Sequence, residues 1–207
     1  MPSVIFSHQA PGLALKIKFP KKVDGTALCI GTIVPDLTSI IDFLLPFSLR
    51  GVSHSLLGLL YYTIPLSLIL MLIFRINIGP FLARTAKKEG RLSKSLNYLG
   101  METWDKLKNK KYNRKSILVA IYSAFIGGIT HILLDLPSHE YVELFFPFLL
   151  FKVPGILLHS IIQSQTYNLT IYELIWMIES LVALVFAIYF LRYIKKYDLI
   201  NKWYEEI

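Results

Sequence analysis

Three apolar stretches constrain this chain more than any other feature: Leu56 to Ile76, Ser116 to Leu136 and Ile171 to Tyr193. Each holds about 21 to 23 residues, roughly 31 to 35 Å as helix, enough to cross a bilayer with little tilt. The composition agrees. With 54% hydrophobic and 17% charged residues in 207, and a mean hydropathy of +0.52, the chain is too apolar for an ordinary soluble domain. Two further stretches are interrupted: 27–47 by Pro35, Asp36 and Asp42, and 141–162 by Lys152, Pro154 and Gly155. These read as broken, re-entrant or interfacial helices. The expected fold is therefore an all-α integral membrane bundle forming one domain over residues 1–207, with three spanning helices, an N-terminal helical hairpin and a broken or re-entrant helix.

Charge orients this bundle. Residues 77–115 hold eleven Lys and Arg against Glu89, Glu102 and Asp105, which accounts for the whole net charge of +8. Between two spans, such a segment reads as a basic cytoplasmic loop obeying the positive-inside rule, not as a nucleic-acid surface. Its "KLKNKKYNRK" run can also lie against anionic headgroups, which makes membrane lipid the expected partner. Segment 56–76 then runs inward, 116–136 outward and 171–193 inward again, ending in Arg192, Lys195 and Lys196. The N-terminus lacks the basic region and cleavage site of a signal peptide, so Met1 is expected to stay. The single cysteine, Cys29, excludes an intrachain disulfide and any zinc site built on several thiolates. No Walker loop, nucleophile elbow, dinucleotide fingerprint or internal repeat is present.

This topology gathers polar residues at one end. "GGITHILLDLPSH", residues 127–139, carries His131, Asp135 and His139 at four-residue spacing. Positions i and i+4 share a helix face, so His131 and Asp135 can hold one ion, and a bend at Pro137 can swing His139 back towards it. His54, just before the first span, falls on the same outer face. At the N-terminus, Ser7 suits an N-cap for a helix through Lys18, and a second helix starts near Asp24 and stops at Pro35. The antiparallel pair brings His8 beside Asp36. An alternative makes 27–47 a true span and separates His8 from His54. The hairpin is preferred because Asp36 would be costly in mid-membrane without a partner, although it leaves Lys16, Lys18, Lys21 and Lys22 of its turn deep or snorkelling.

The set His8, Asp36, His54, His131, Asp135 and His139 suits zinc or a pair of divalent ions. Glu179, inside the last span, reads as pairing with a neighbouring helix, and Asp42 as facing the site entrance. His159 reads as a polar residue at an interfacial helix end, with Gln163, Ser164 and Thr166 in a loop or headgroup pocket. Gly127 and Gly128 read as close-packing positions, and Trp104 and Trp203 as interface anchors.

The order of "MPSVIFSHQA", "GTIVPD", "GVSHSLLGLLYYTIPL" and "GGITHILLDLPSHE" resembles the bacterial membrane family catalogued as domain of unknown function 4184. That family is similar to membrane-bound metal-dependent hydrolases and distantly to zinc-dependent phospholipase C enzymes. The resemblance implies the same six ligands and a metal-dependent hydrolase of the bacterial cytoplasmic membrane with a zinc-type cofactor, while the outer-face location read from charge favours an amphiphilic substrate such as a phospholipid or lipid-linked phosphoester. Asp36 or Asp135 would bridge two ions or act as general base. Here "SHS" replaces the family's commoner "THS", and "LPSH" stands where an aromatic and a threonine are usual.

Overall fold

A computed structural model describes residues 8–38, 42, 49–152, 154–163 and 168–204. The chain is an all-α membrane bundle, and three of its helices are long and apolar enough to cross a bilayer.

Helix α1 (Gln9–Lys18) turns at Phe19–Val23 into the antiparallel α2 (Gly25–Gly31). Asp24 caps α2 by accepting a hydrogen bond from the Ala27 N–H at 3.0 Å. The α-helix ends at Gly31, earlier than the expected stop, and a 3₁₀ turn, Val34–Leu37, carries Pro35 and Asp36. Ser7, residues 39–41 and residues 43–48 lie outside the described residues. The residue before α1 is His8, whose side chain makes no capping bond and is left to face the interior.

A short turn, Arg50–Ser53, leads into α3 (Leu56–Ala86), which runs on beyond the apolar stretch into the basic segment. It is interrupted by π-helical turns at Leu59–Thr63 and Phe74–Ile78. Both have one cause: Pro65 and Pro80 offer no N–H to the carbonyls of Tyr61 and Ile76, so the ladder widens just ahead of each proline. The rest of the basic segment folds as α4 (Arg91–Tyr98) and a 3₁₀ stretch, Met101–Asn109.

Helix α5 (Arg114–Ser138) starts on a capping box between Asn113 and Ser116. It passes Pro137 and stops one residue later, at an extended His139. The stretch 141–162 is not a broken helix. Strands β1 (Tyr141–Phe145) and β2 (Leu149–Lys152) form one antiparallel hairpin, and β3 (Ser160–Gln163) and β4 (Asn168–Thr170) form another. Aromatic and β-branched residues favour strands, and Pro147 and Pro154 forbid a continuous helix, so apolar length alone misleads here. Helix α6 (Ile171–Lys196) then begins on a Thr170–Glu173 capping box and ends in Lys195 and Lys196, and α7 (Leu199–Tyr204) closes the described chain.

The α1–α2 hairpin threads the bundle. Gly31 lies against the Ala124 backbone and Gly127 against the Leu28 carbonyl, so a methyl group on either would separate α2 from α5. At the far end of the hairpin, Asp24 meets Arg75 at 2.5 Å and Lys110 at 2.6 Å. The turn lysines thus arrive at the basic end of the bundle, where Lys18, Lys21 and Lys22 are exposed. Lys16 is buried, donating to the Pro20 and Val23 carbonyls at 2.6 and 3.0 Å and lying over the Trp203 ring. Trp104 packs on Phe74 within the same layer.

Candidate metal centre

At the opposite end four elements converge. His8 comes from the start of α1, Asp36 from the 3₁₀ turn after α2, His54 from the approach to α3, and His131 and Asp135 from α5. His139 returns from the end of α5, with Nδ1 3.5 Å from Asp135 Oδ1. All six residues singled out in the sequence therefore meet. His8, His54, His131 and Asp135 are buried, and the Asp36 side chain is 12% exposed.

The donor atoms are ordered. His131 Nδ1 donates to the Thr32 carbonyl at 2.9 Å, which points its Nε2 lone pair into the centre. His54 Nδ1 faces Ser53 Oγ at 2.8 Å and the Arg50 carbonyl at 3.3 Å, so its Nε2 also points inward. The two Nε2 atoms stand 3.2 Å apart. Two lone pairs at that distance repel unless a cation or a proton lies between them.

Carboxylates complete the arrangement. Asp36 Oδ1 lies 3.5 Å from His54 Nε2 and 3.6 Å from His131 Nε2, and Asp135 Oδ2 lies 3.3 and 3.5 Å from the same atoms. Ligand bonds of about 2.0–2.1 Å put tetrahedral donor atoms about 3.3 Å apart, so these spacings fit a zinc-sized ion. Asp135 Oδ2 is buried and accepts no hydrogen bond of normal geometry, which is the condition of an atom awaiting a cation. The other oxygen, Oδ1, faces His8 Nε2 at 3.6 Å and His139 Nδ1. Asp135 thus divides its oxygens between two pairs of histidines, and the donors fall into two groups compact enough for an ion, His54–His131–Asp135 and His8–Asp36–His131.

Burial opposes charge on His8, but the facing Asp135 carboxylate outweighs it and raises the pKa above the ordinary histidine value. His54 is raised in the same way, against burial, by Asp135 and Asp36. His139 moves the other way, because burial lowers it by more than Asp135 restores. Sequence reasoning missed the supporting layer. The Thr32 carbonyl carries no signature, and Ser53 and Thr38, which share a hydrogen bond at 3.0 Å, look like ordinary hydroxyls in the sequence. Glu179 adds a third carboxylate near His8, with Oε2 buried and unbonded.

A cleft of about 210 Å³ leads to His54 between Arg50, Val52, Tyr141 and Phe146. Arg50 reaches Asp135 Oδ2 at 3.9 Å while its side chain is 41% exposed, so it puts a cation where the cleft meets the centre. Asp42 accepts from the Leu49 N–H at 2.8 Å and ties the two ends of the preceding segment. His159 and Gln163 are exposed on the second hairpin and contribute nothing to the centre, and Ser164 and Thr166 lie outside the described residues.

Fold and site together define a class: a multi-span helical membrane protein with a buried His/Asp centre at one end of its bundle. The match to a family model extends over residues 1–205, and the chain belongs to the family described as Domain of unknown function (DUF4184). No curated protein and no solved structure matches it.

Proposed function

We propose that this chain is a metal-dependent hydrolase of a bacterial cytoplasmic membrane, acting on the phosphoester of an amphiphile at the outer face. The observation that carries the reading is the inward pair His54 Nε2 and His131 Nε2, 3.2 Å apart and each 3.3–3.6 Å from Asp36 Oδ1 and Asp135 Oδ2, with His54–His131–Asp135 a group compact enough to hold a divalent ion. His8, together with Asp36 and His131, offers a second position. A divalent ion bound there supplies Lewis acidity and brings the pKa of a coordinated water near 7. The chain's own residues do the rest. Arg50 meets an anionic phosphoryl group from the cleft and orients it. Asp36, more exposed than Asp135, is the carboxylate that takes a proton from water. The exposed apolar side chains of the first hairpin and of the turn after it, with Phe148 at 88% and Ile156 at 69%, favour a substrate delivered from the bilayer. The basic end, by the positive-inside rule, supports a centre on the outer side.

A second reading has its own support: the raised pKa values of His8 and His54 let imidazolium and carboxylate neutralise one another, giving a structural or ion-passing cluster without catalysis. One experiment separates them. Elemental analysis of detergent-purified protein is expected to find about one or two divalent ions per chain in the wild type. In Asp135→Asn, checked to be folded, both metal and phosphoesterase activity are lost. A wild type that stays metal-free after reconstitution, or a folded, metal-free variant with full activity, overturns the hydrolase reading.

A further inference from the structure

The basic end of the bundle holds a second concave site that the hydrolase reading does not use. It is a cleft of about 880 Å³ between α4 and the last three turns of α6. Lys87, Lys88, Lys94, Arg192, Lys195 and Lys196 line it, and among the described residues no carboxylate does. Lys195 is held by Glu102 at 2.9 Å and Lys87 by Asp105 at 3.0 Å. Lys88, Lys94 and Lys196 make no ion pair among the described residues, so the cleft keeps an excess of positive charge.

Its walls are aromatic. Tyr189, Tyr193 and Tyr197 follow one another at i+4 spacing, with ring centroids 6.4 and 4.5 Å apart. Arg192 lies over the Tyr98 ring at 4.2 Å and donates to its hydroxyl, joining α4 to α6, while Lys195 donates to the Asn97 carbonyl and side chain. The cations are thus carried on a braced framework of helices. Directly along α6 from Tyr189 towards mid-membrane, Leu181, Val182, Val185 and Phe186 are all exposed. A level where cations and tyrosines interleave and then an apolar face follow one another along α6, in the order in which a phospholipid presents its headgroup and its acyl chains.

We propose that this cleft binds the phosphate headgroup of an anionic phospholipid, held in the leaflet that meets the basic end, with its acyl chains on the exposed face of α6. The exposed apolar face beside the cations favours a lipid over a free phosphate. The test is titration of the full chain, in uncharged detergent, with cardiolipin and with phosphatidylcholine, read by native mass spectrometry. Cardiolipin is expected to bind and phosphatidylcholine not. The triple variant Lys88→Gln, Lys94→Gln, Lys196→Gln loses about fivefold in affinity per lysine, on the order of a hundredfold in all. A control removing the same charge elsewhere, Lys108→Gln, Lys111→Gln, Lys115→Gln, keeps the wild-type affinity. All six lysines are exposed, and thermal unfolding checks that both variants fold. Equal loss in both triples would make the attraction diffuse and overturn the site. Displacement of cardiolipin by inorganic phosphate at equal concentration would overturn the lipid assignment.

Discussion

At the scale of single residues, the centre depends on which nitrogen of each histidine carries the proton. Ser53 Oγ lies 2.8 Å from His54 Nδ1 and is itself held by Thr38 Oγ1 at 3.0 Å. Thr38 in turn donates to the Pro35 carbonyl at 3.0 Å, so the turn that carries Asp36 and the ring of His54 are fixed by one chain of hydrogen bonds. Ser53→Ala removes the middle of that chain without touching a ligand atom. Metal affinity is expected to fall about 10- to 100-fold, as is usual when the partner of a ligating histidine is lost. Competition titration with a zinc chelator measures it, and an unchanged affinity would mean that the Arg50 carbonyl alone orients the ring. Legibility divides along the same line. His8, Asp36, His54, His131, Asp135 and His139 stand out in the sequence because ionisable groups in apolar surroundings are conspicuous. The Thr32 carbonyl and Ser53 are invisible there, because a backbone acceptor and a common hydroxyl acquire a role only when another element is packed onto them.

At the scale of elements, the α1–α2 hairpin runs between two polar layers, the His/Asp centre at its open end and the Asp24–Arg75–Lys110 cluster at its turn. The second cluster anchors it. Burial opposes the Asp24 carboxylate, yet Arg75 and Lys110 outweigh burial and hold its pKa down at about 2, against 3.8 ordinarily. A depressed carboxylate pKa contributes stability that is full above the unfolded value and lost as pH falls from about 4 to about 2, worth on the order of 2 kcal/mol. Asp24→Asn leaves Arg75 buried with no anion and is expected to cost on the order of 3 to 5 kcal/mol. Thermal unfolding in detergent from pH 7 downward checks both statements: the wild type loses stability in that acid window and the variant, already weaker, lacks this component. This anchor could not be read from spacing, since Asp24, Arg75 and Lys110 are far apart in the chain. The hairpins at 141–170 were hidden for a different reason. The total apolar length of 141–162 reads as a helix, and only the division into short runs by Pro147 and Pro154, together with the aromatic and β-branched residues, argues for the strands.

At the scale of the whole molecule, the two ends differ in kind. One carries the buried His/Asp centre, and the other carries the basic segment, the turn lysines and the tyrosine-walled cleft. Three helices long and apolar enough to cross a bilayer run between these ends, and the positive-inside rule predicts that the basic one faces the cytoplasm. Orientation is therefore a prediction about accessibility. The chain has one cysteine, Cys29, and burial pushes its thiol up to about 12, so it is not a thiolate at neutral pH and gives a quiet background. Glu140 beside the centre and Lys88 at the basic cleft are both exposed, so each can be replaced by cysteine without disturbing the core. In intact bacterial cells, a membrane-impermeant thiol reagent is expected to label Glu140→Cys and to reach Lys88→Cys only after permeabilisation. The reverse pattern would put the centre on the cytoplasmic side, where a substrate would have to come from the inner leaflet. Labelling of both positions in intact cells would mean that the bundle does not separate its two ends, contrary to the length and hydropathy of α3, α5 and α6.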